Sequence, residues 1–124
     1  MIFKFLTTLP LCYLLSIHEM DTPPVFVNPL EIPQTLSGSF GELRTTNFHT
    51  GIDIKTNGTI GHPVFAIADG FVTRVMVSPV GYGKTLYIDH RNGYTSVYCH
   101  LNAFSERIWE YTTEKQYEKK TFKV

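Results

Sequence analysis

Phe48-His49-Thr50-Gly51-Ile52-Asp53-Ile54 places an imidazole and a carboxylate four residues apart across a glycine. Both side chains are zinc-type ligands. Geometry limits how they can share one metal. In a straight strand rising about 3.3 Å per residue, their Cα atoms would lie roughly 13 Å apart. That is too wide for ligand atoms that must each sit about 2 Å from the ion. A helix brings i and i+4 together, but Thr50, Gly51 and Ile52 are poor helix formers. The remaining option is a bent segment in which Gly51 takes φ values that other residues resist and Asp53 starts a strand. On spacing alone a second reading stays open, a surface histidine followed by a turn-capping aspartate, because His-x-x-x-Asp is a short motif.

Working outward, the flanking residues read as short strands. Val64 to Ala68 is apolar at every position, as in a strand covered on both faces. Asp69-Gly70 is a tight-turn signal between two apolar runs. Phe71 to Val77 alternates, with Phe71, Thr73, Val75 and Val77 set against Val72, Arg74 and Met76. Pro79 to Gly83 is a loop whose glycines suit φ > 0, and no helix start follows that would make it a phosphate cradle. Thr85 to Asp89 is another strand, and Asn92-Gly93 joins it as a hairpin to Tyr94–His100. Period 2 in that last strand groups Val97, Cys99 and Leu101 as core and Ser96, Tyr98 and His100 as a groove-lining face. Cys99 is then a small buried hydrophobe. The fold class is mostly β, an antiparallel sheet or β-sandwich-like core, with one C-terminal amphipathic helix.

That helix follows Asn102 or Ser105, either of which can cap it. Phe104, Ile108 and Tyr111 recur on its apolar face. Its acids come early and its lysines late, as the helix dipole prefers. Thr121-Phe122-Lys123-Val124 then begins another strand, with no turn, cap or partner in view.

The blocks Phe48–Ile54, Gly61-His62-Pro63-Val64-Phe65-Ala66-Ile67-Ala68-Asp69-Gly70-Phe71-Val72, Gly81-Tyr82-Gly83-Lys84, Ile88-Asp89-His90-Arg91-Asn92-Gly93-Tyr94 and Val97-Tyr98-Cys99-His100-Leu101 stand in this order. Together they resemble the M23 (LytM/lysostaphin-like) zinc peptidases from Ser37 to Leu101. The resemblance implies a zinc metalloendopeptidase that hydrolyses peptide cross-links of bacterial peptidoglycan. It implies that His49 and Asp53 bind Zn2+. It implies that His100 is an active-site histidine that polarises or orients water and substrate. The family's final His-x-His, which supplies a catalytic histidine and the third protein ligand, has no counterpart in these residues. The expectation is therefore the N-terminal part of a longer product, or a truncated one. The alternative is a non-catalytic M23-like domain that binds cell-wall peptide or regulates a separate wall hydrolase. A small carrier-type β module fits less well, because no lysine sits at a hairpin tip between apolar residues.

Composition narrows the class. A chain of 124 residues with 43% hydrophobic and 14% aromatic content suits one globular domain rather than a disordered segment. Eleven basic and eleven acidic residues balance, so nothing favours nucleic acid as a partner. Cys12 and Cys99 are too few for a disulfide framework. Residues 1–16 read as a signal peptide whose apolar stretch is shorter than the roughly 20 residues of a membrane span, so the chain is expected to be exported, to the periplasm or cell envelope. Residues 17–36 are a proline-rich arm that wraps the domain or floats, and 37–124 are the peptidase-like domain. Arg44 can face a substrate carboxylate or be a solvated surface charge. His90, His62 and His18 have no motif partner and are not taken as ligands.

Overall fold

The computed structural model describes residues 25–124. The signal segment, the first part of the arm, Cys12 and His18 lie outside the described residues. Five strands and one helix follow in order: β1 (Leu36–Gly38), β2 (Asp53–Ile54), β3 (Gly70–Val77), β4 (Lys84–His90), β5 (Thr95–Leu101) and α1 (Glu106–Lys119). β1 and β2 pair antiparallel as a small two-stranded sheet, and β3-β4-β5 form an antiparallel meander. The mostly-β class with one C-terminal helix is thus the observed architecture.

The β4–β5 hairpin forms where Asn92-Gly93 predicts it. Gly93 takes φ 82° and donates its N–H to the His90 carbonyl at 3.0 Å, while the His90 N–H reaches Tyr94 at 2.8 Å. A positive φ at the last loop residue is the position where glycine costs least. Gly81 and Gly83 take φ 73° and 64°, as their loop requires.

The segment Val64–Ala68 departs from the sequence reading. It is not a strand, and Val64 and Phe65 are 45% and 42% exposed. Its backbone partner is the arm. The Val27 N–H donates to Ile67 at 2.8 Å and the Phe65 N–H to Pro29 at 2.9 Å. Leu30 is buried, and Phe26 meets Tyr94 edge-on with ring centroids 5.6 Å apart. Over its described residues, the arm therefore wraps the domain. Asp69-Gly70 consequently does not join two strands; it is the bend through which the arm-bound segment enters β3.

β3 and β5 each carry a register shift against β4, between Val72 and Arg74 in the first case and opposite Lys84–Leu86 in the second. The simple alternation read for Phe71–Val77 fails at the first shift. Of the large apolar residues in these strands, Val75 and Ile88 are buried. Arg74 lies over the Tyr87 ring, 4.7 Å from its centroid, on the opposite face.

The inner face of β5 holds polar groups. Tyr98 Oη accepts the Ile67 N–H at 2.9 Å and lies 2.9 Å from Ser96 Oγ. Ser96 Oγ is 2.8 Å from His90 Nε2, and His90 Nδ1 is 3.0 Å from the Asp69 carbonyl. A carbonyl only accepts, so Nδ1 carries a proton. With a neutral imidazole, Nε2 accepts from Ser96, whose oxygen then accepts from Tyr98. Every group in this chain is satisfied, so His90 is a structural tie between β4, β5 and the segment before β3.

α1 starts after Ser105, whose carbonyl takes the Trp109 N–H at 2.9 Å; the Ser105 side chain makes no capping bond. The face turned inward is Phe104, Ile108, Thr112 and Gln116, an i+4 row. Thr112 is wholly buried, whereas Tyr111, expected on that face, is 60% exposed. The C-cap Lys120 adopts the left-handed conformation at φ 50°, which reverses the chain. Phe122–Val124 then lies along β3: Val124 and Val75 exchange backbone bonds of 2.9 and 2.6 Å, and Val77 donates to Phe122 at 3.1 Å. The tail that lacked a visible turn or partner therefore has both.

Candidate metal centre

The site is built from a hairpin and the short β1–β2 sheet. Residues 41–49 fold back on themselves about a turn in which Arg44 N–H donates to Asn47 at 2.8 Å. Leu43 bridges Phe48. Gly41 donates to the His49 carbonyl and His49 to the Glu42 carbonyl, each at 2.8 Å. This fixes His49 at the end of the hairpin. β2 opens at Asp53, which pairs with Gly38 of β1.

The bend between them brings the side chains together. His49 Nε2 lies 3.3 Å from Asp53 Oδ1. Gly51 achieves this without the left-handed φ expected of it, since its φ is not positive. A Cβ there would stand 3.9 Å from His49 Nε2, an ordinary contact, so the position has space for a methyl.

The two donors are held from behind. His49 Nδ1 is 3.0 Å from the Ser39 carbonyl, which can only accept, so Nδ1 carries a proton and Nε2 is the nitrogen left facing Oδ1. Asp53 Oδ2 accepts from Arg44 Nη2 at 2.7 Å. The same Nη2 is 3.2 Å from Glu42 Oε2 and 3.4 Å from His49 Nδ1. Glu42 Oε2 also accepts the Ser39 N–H at 3.3 Å. Arg44, 41% exposed, thus pairs with the chain's own carboxylates. With Oδ2 so occupied, Oδ1 is the carboxylate oxygen that faces Nε2.

His100 stands on a different element, β5. Lys84 pairs with Leu101 and Leu86 with Tyr98, so β5 carries one extra residue across Cys99 and His100, a bulge. His100 absorbs it with φ 57°. Its N–H donates to the Tyr82 carbonyl at 2.9 Å, and its exposed ring meets Tyr82 nearly edge-on at 6.5 Å between centroids. The bulge corrects the face assignment made from period 2: Ser96 and Tyr98 turn inward, Val97 is 47% exposed, and His100 reaches solvent through its backbone conformation. Among the described residues, no hydrogen bond or ion pair joins His100 to His49 or Asp53, and no three His, Cys, Asp or Glu side chains group as a metal site. Cys99 is half-buried as a free thiol; burial raises its pKa, opposed by a hydrogen bond from Thr85.

A family model described as Peptidase family M23 matches residues 47–116, more than half of the chain. The chain belongs to peptidase family M23. His49, Asp53 and His100 all fall inside the matched span, while Gly38, Glu42 and Arg44 precede it. The M23 chain is also 44% identical over 64 residues to the DD-carboxypeptidase/endopeptidase Mpg of Neisseria meningitidis serogroup B. It matches the protein of the same name from Neisseria gonorrhoeae equally well. These alignments cover 52% of this chain and 14% of each relative. No solved structure matches the chain.

Sequence reasoning singled out His49, Asp53 and His100 and passed over Gly38 and Glu42, which lie against the Arg44–Asp53 ion pair. A usable signal was present in Ser37–Arg44. Glu42 and Arg44 stand two apart, hence on one face of an extended strand, with a glycine four residues before Glu42.

Proposed function

We propose that this M23 chain carries two ligands, His49 and Asp53, of a zinc-dependent endopeptidase that acts on the peptide cross-links of bacterial peptidoglycan and is exported to the periplasm or cell envelope, the family's final His-x-His being absent from these residues. The observation that carries the reading is the His49–Asp53 pair. Ligand atoms each about 2 Å from a tetrahedral zinc are separated by about 3.3 Å along an edge, and Nε2 and Oδ1 stand 3.3 Å apart. The donor types, their spacing and the proton on Nδ1 all fit that ion. Zinc, when bound, supplies Lewis-acid chemistry for amide hydrolysis.

The chain's own groups do the rest. His49 presents Nε2 because the Ser39 carbonyl takes its Nδ1–H. Asp53 presents one oxygen because Arg44 holds the other. His100, carried to solvent by the bulge, offers an imidazole to orient water and substrate; this role rests on the family resemblance. The substrate class rests on the family and on the activity named for the Neisseria relatives.

The test is zinc content and wall digestion by the full chain. His49→Ala is expected to lose zinc by elemental analysis and to release no peptides from purified sacculi. His100→Ala is expected to keep its zinc and lose at least 100-fold in release, within the usual range for a general acid–base group. Unchanged zinc content in His49→Ala overturns the ligand assignment. Tight binding of sacculi by the zinc-loaded parent without any cleavage overturns the enzyme reading in favour of a wall-binding domain.

A further inference from the structure

We propose that Arg44 is a positioning residue for the metal pair, seated in a slot that exists because residue 38 is glycine. The proposal rests on the zinc reading of His49 and Asp53 and assigns the group that sets their geometry.

Three observations converge on Arg44. Its Nη2 takes Asp53 Oδ2 at 2.7 Å, the shortest of the ion pairs around this site. Glu42 holds the same nitrogen from the other side at 3.2 Å, and Glu42 is itself fixed by the Ser39 N–H. Ser39 in turn carries the carbonyl that sets the His49 tautomer. One short loop thus orients both donors, the imidazole through the Ser39 carbonyl and the carboxylate through Glu42 and Arg44. The third observation is Gly38. A Cβ built there would collide with both the Arg44 guanidinium and the Asp53 carboxylate. Gly38 does not have a positive φ, so its backbone would accept alanine. What it excludes is a side chain in the space the ion pair fills.

Charge alone argues the opposite outcome. Removing a cation beside a metal site leaves it more negative and would tighten metal binding. The pair is about two-fifths exposed, with side-chain exposures of 41% and 42%, where solvent screens such charge strongly. Orientation should therefore win. A carboxylate released from Arg44 can rotate and offer either oxygen to solvent, and loss of such an outer partner typically weakens metal binding by about 10- to 100-fold.

The experiment measures Zn2+ affinity of the full chain by competition with a chromophoric chelator, with cobalt(II) absorption as a second readout of coordination. Arg44→Ala is expected to bind one metal at least tenfold more weakly, with an altered cobalt spectrum. Arg44→Lys restores a donor at the same place and is expected to recover part of the loss. Gly38→Ala is expected to weaken binding comparably while the fold, followed by circular dichroism, persists. Its effect should shrink in the Arg44→Ala background, because the two changes act on one contact. Parental or tighter affinity in Arg44→Ala overturns the proposal. So does a Gly38→Ala effect that is undiminished by Arg44→Ala. His49→Ala run alongside separates the two readings: if it also keeps its metal, the zinc site itself is wrong; if it alone loses metal, only the role of Arg44 falls.

Discussion

Gly70 shows how far a single hydrogen in place of a methyl can matter in this chain. It opens β3 directly opposite His90. A Cβ there would stand 2.5 Å from the Asp89 carbonyl oxygen, 2.8 Å from Ile88 Cγ2 and 2.9 Å from His90 Nδ1. One of these atoms is backbone and another belongs to a buried ring in a satisfied hydrogen-bond chain, so neither yields cheaply. Gly70→Ala is expected to destabilise by about 1–3 kcal/mol, the usual range for overpacking, read as a lowered denaturant midpoint at unchanged m-value. The sequence flagged Gly70 as a turn residue; the structure shows a close approach instead. Gly51, expected in a left-handed bend, has no positive φ, and a Cβ there would make only an ordinary contact with His49. Glycines announce themselves in a sequence, but which of their two permissions is used depends on neighbours that are distant along the chain.

At the scale of elements, β5 carries most of the surprise. Alternation read Ser96, Tyr98 and His100 as one face, and a bulge at Cys99–His100 splits them. Neither residue is a glycine, the usual mark of a left-handed bulge position, so the shift had no local signal. Tyr98 instead reaches across to the Ile67 N–H and tethers the arm-bound segment to the sheet. Tyr98→Phe would leave that amide and the Ser96 hydroxyl with one partner fewer. The expected cost is about 1–3 kcal/mol, with hydrogen exchange at the Ile67 amide accelerated out of proportion to amides in β4. Equal acceleration throughout would mean that the tether has no local role. The hairpin at Asn92-Gly93 and helix α1, by contrast, were legible because turn chemistry and helical periodicity are local. Only the helix's inner face shifted, from Tyr111 to Thr112 and Gln116, where tertiary packing selected the i+4 row.

Across the whole molecule, the described residues divide into a meander, a small β1–β2 sheet and an arm that runs along the segment before β3. The buried apolar set is small: Leu30, Val75 and Ile88. The class and the ordered motifs were visible in the sequence, as was the candidate pair His49 and Asp53. The partners that orient the pair were not, because their roles depend on the hairpin at 41–49, which sets residues of separate segments side by side. A metal gripped by His49 and Asp53 would join the hairpin end to β2 and stabilise the folded chain by mass action. At a free zinc concentration about 100 times Kd the gain is about 2.7 kcal/mol. A domain of this size should show it as a rise of roughly 10 °C in Tm, absent in His49→Ala. An equal rise in that variant would place the stabilising zinc elsewhere.

The extra residue in β5 has a genetic consequence. Lys84 and Leu86 need only one residue between their partners, and the chain supplies two. A deletion of one codon at position 99 or 100 would leave every flanking pair in place and make the ladder more regular. The extra residue instead serves the loop before β4, because the bulge presents the His100 N–H to the Tyr82 carbonyl at 2.9 Å. Shortening the strand would remove that tie and the left-handed residue that carries the His100 ring to solvent, so the length of β5 is set by what lies beside the ladder as well as by the ladder itself.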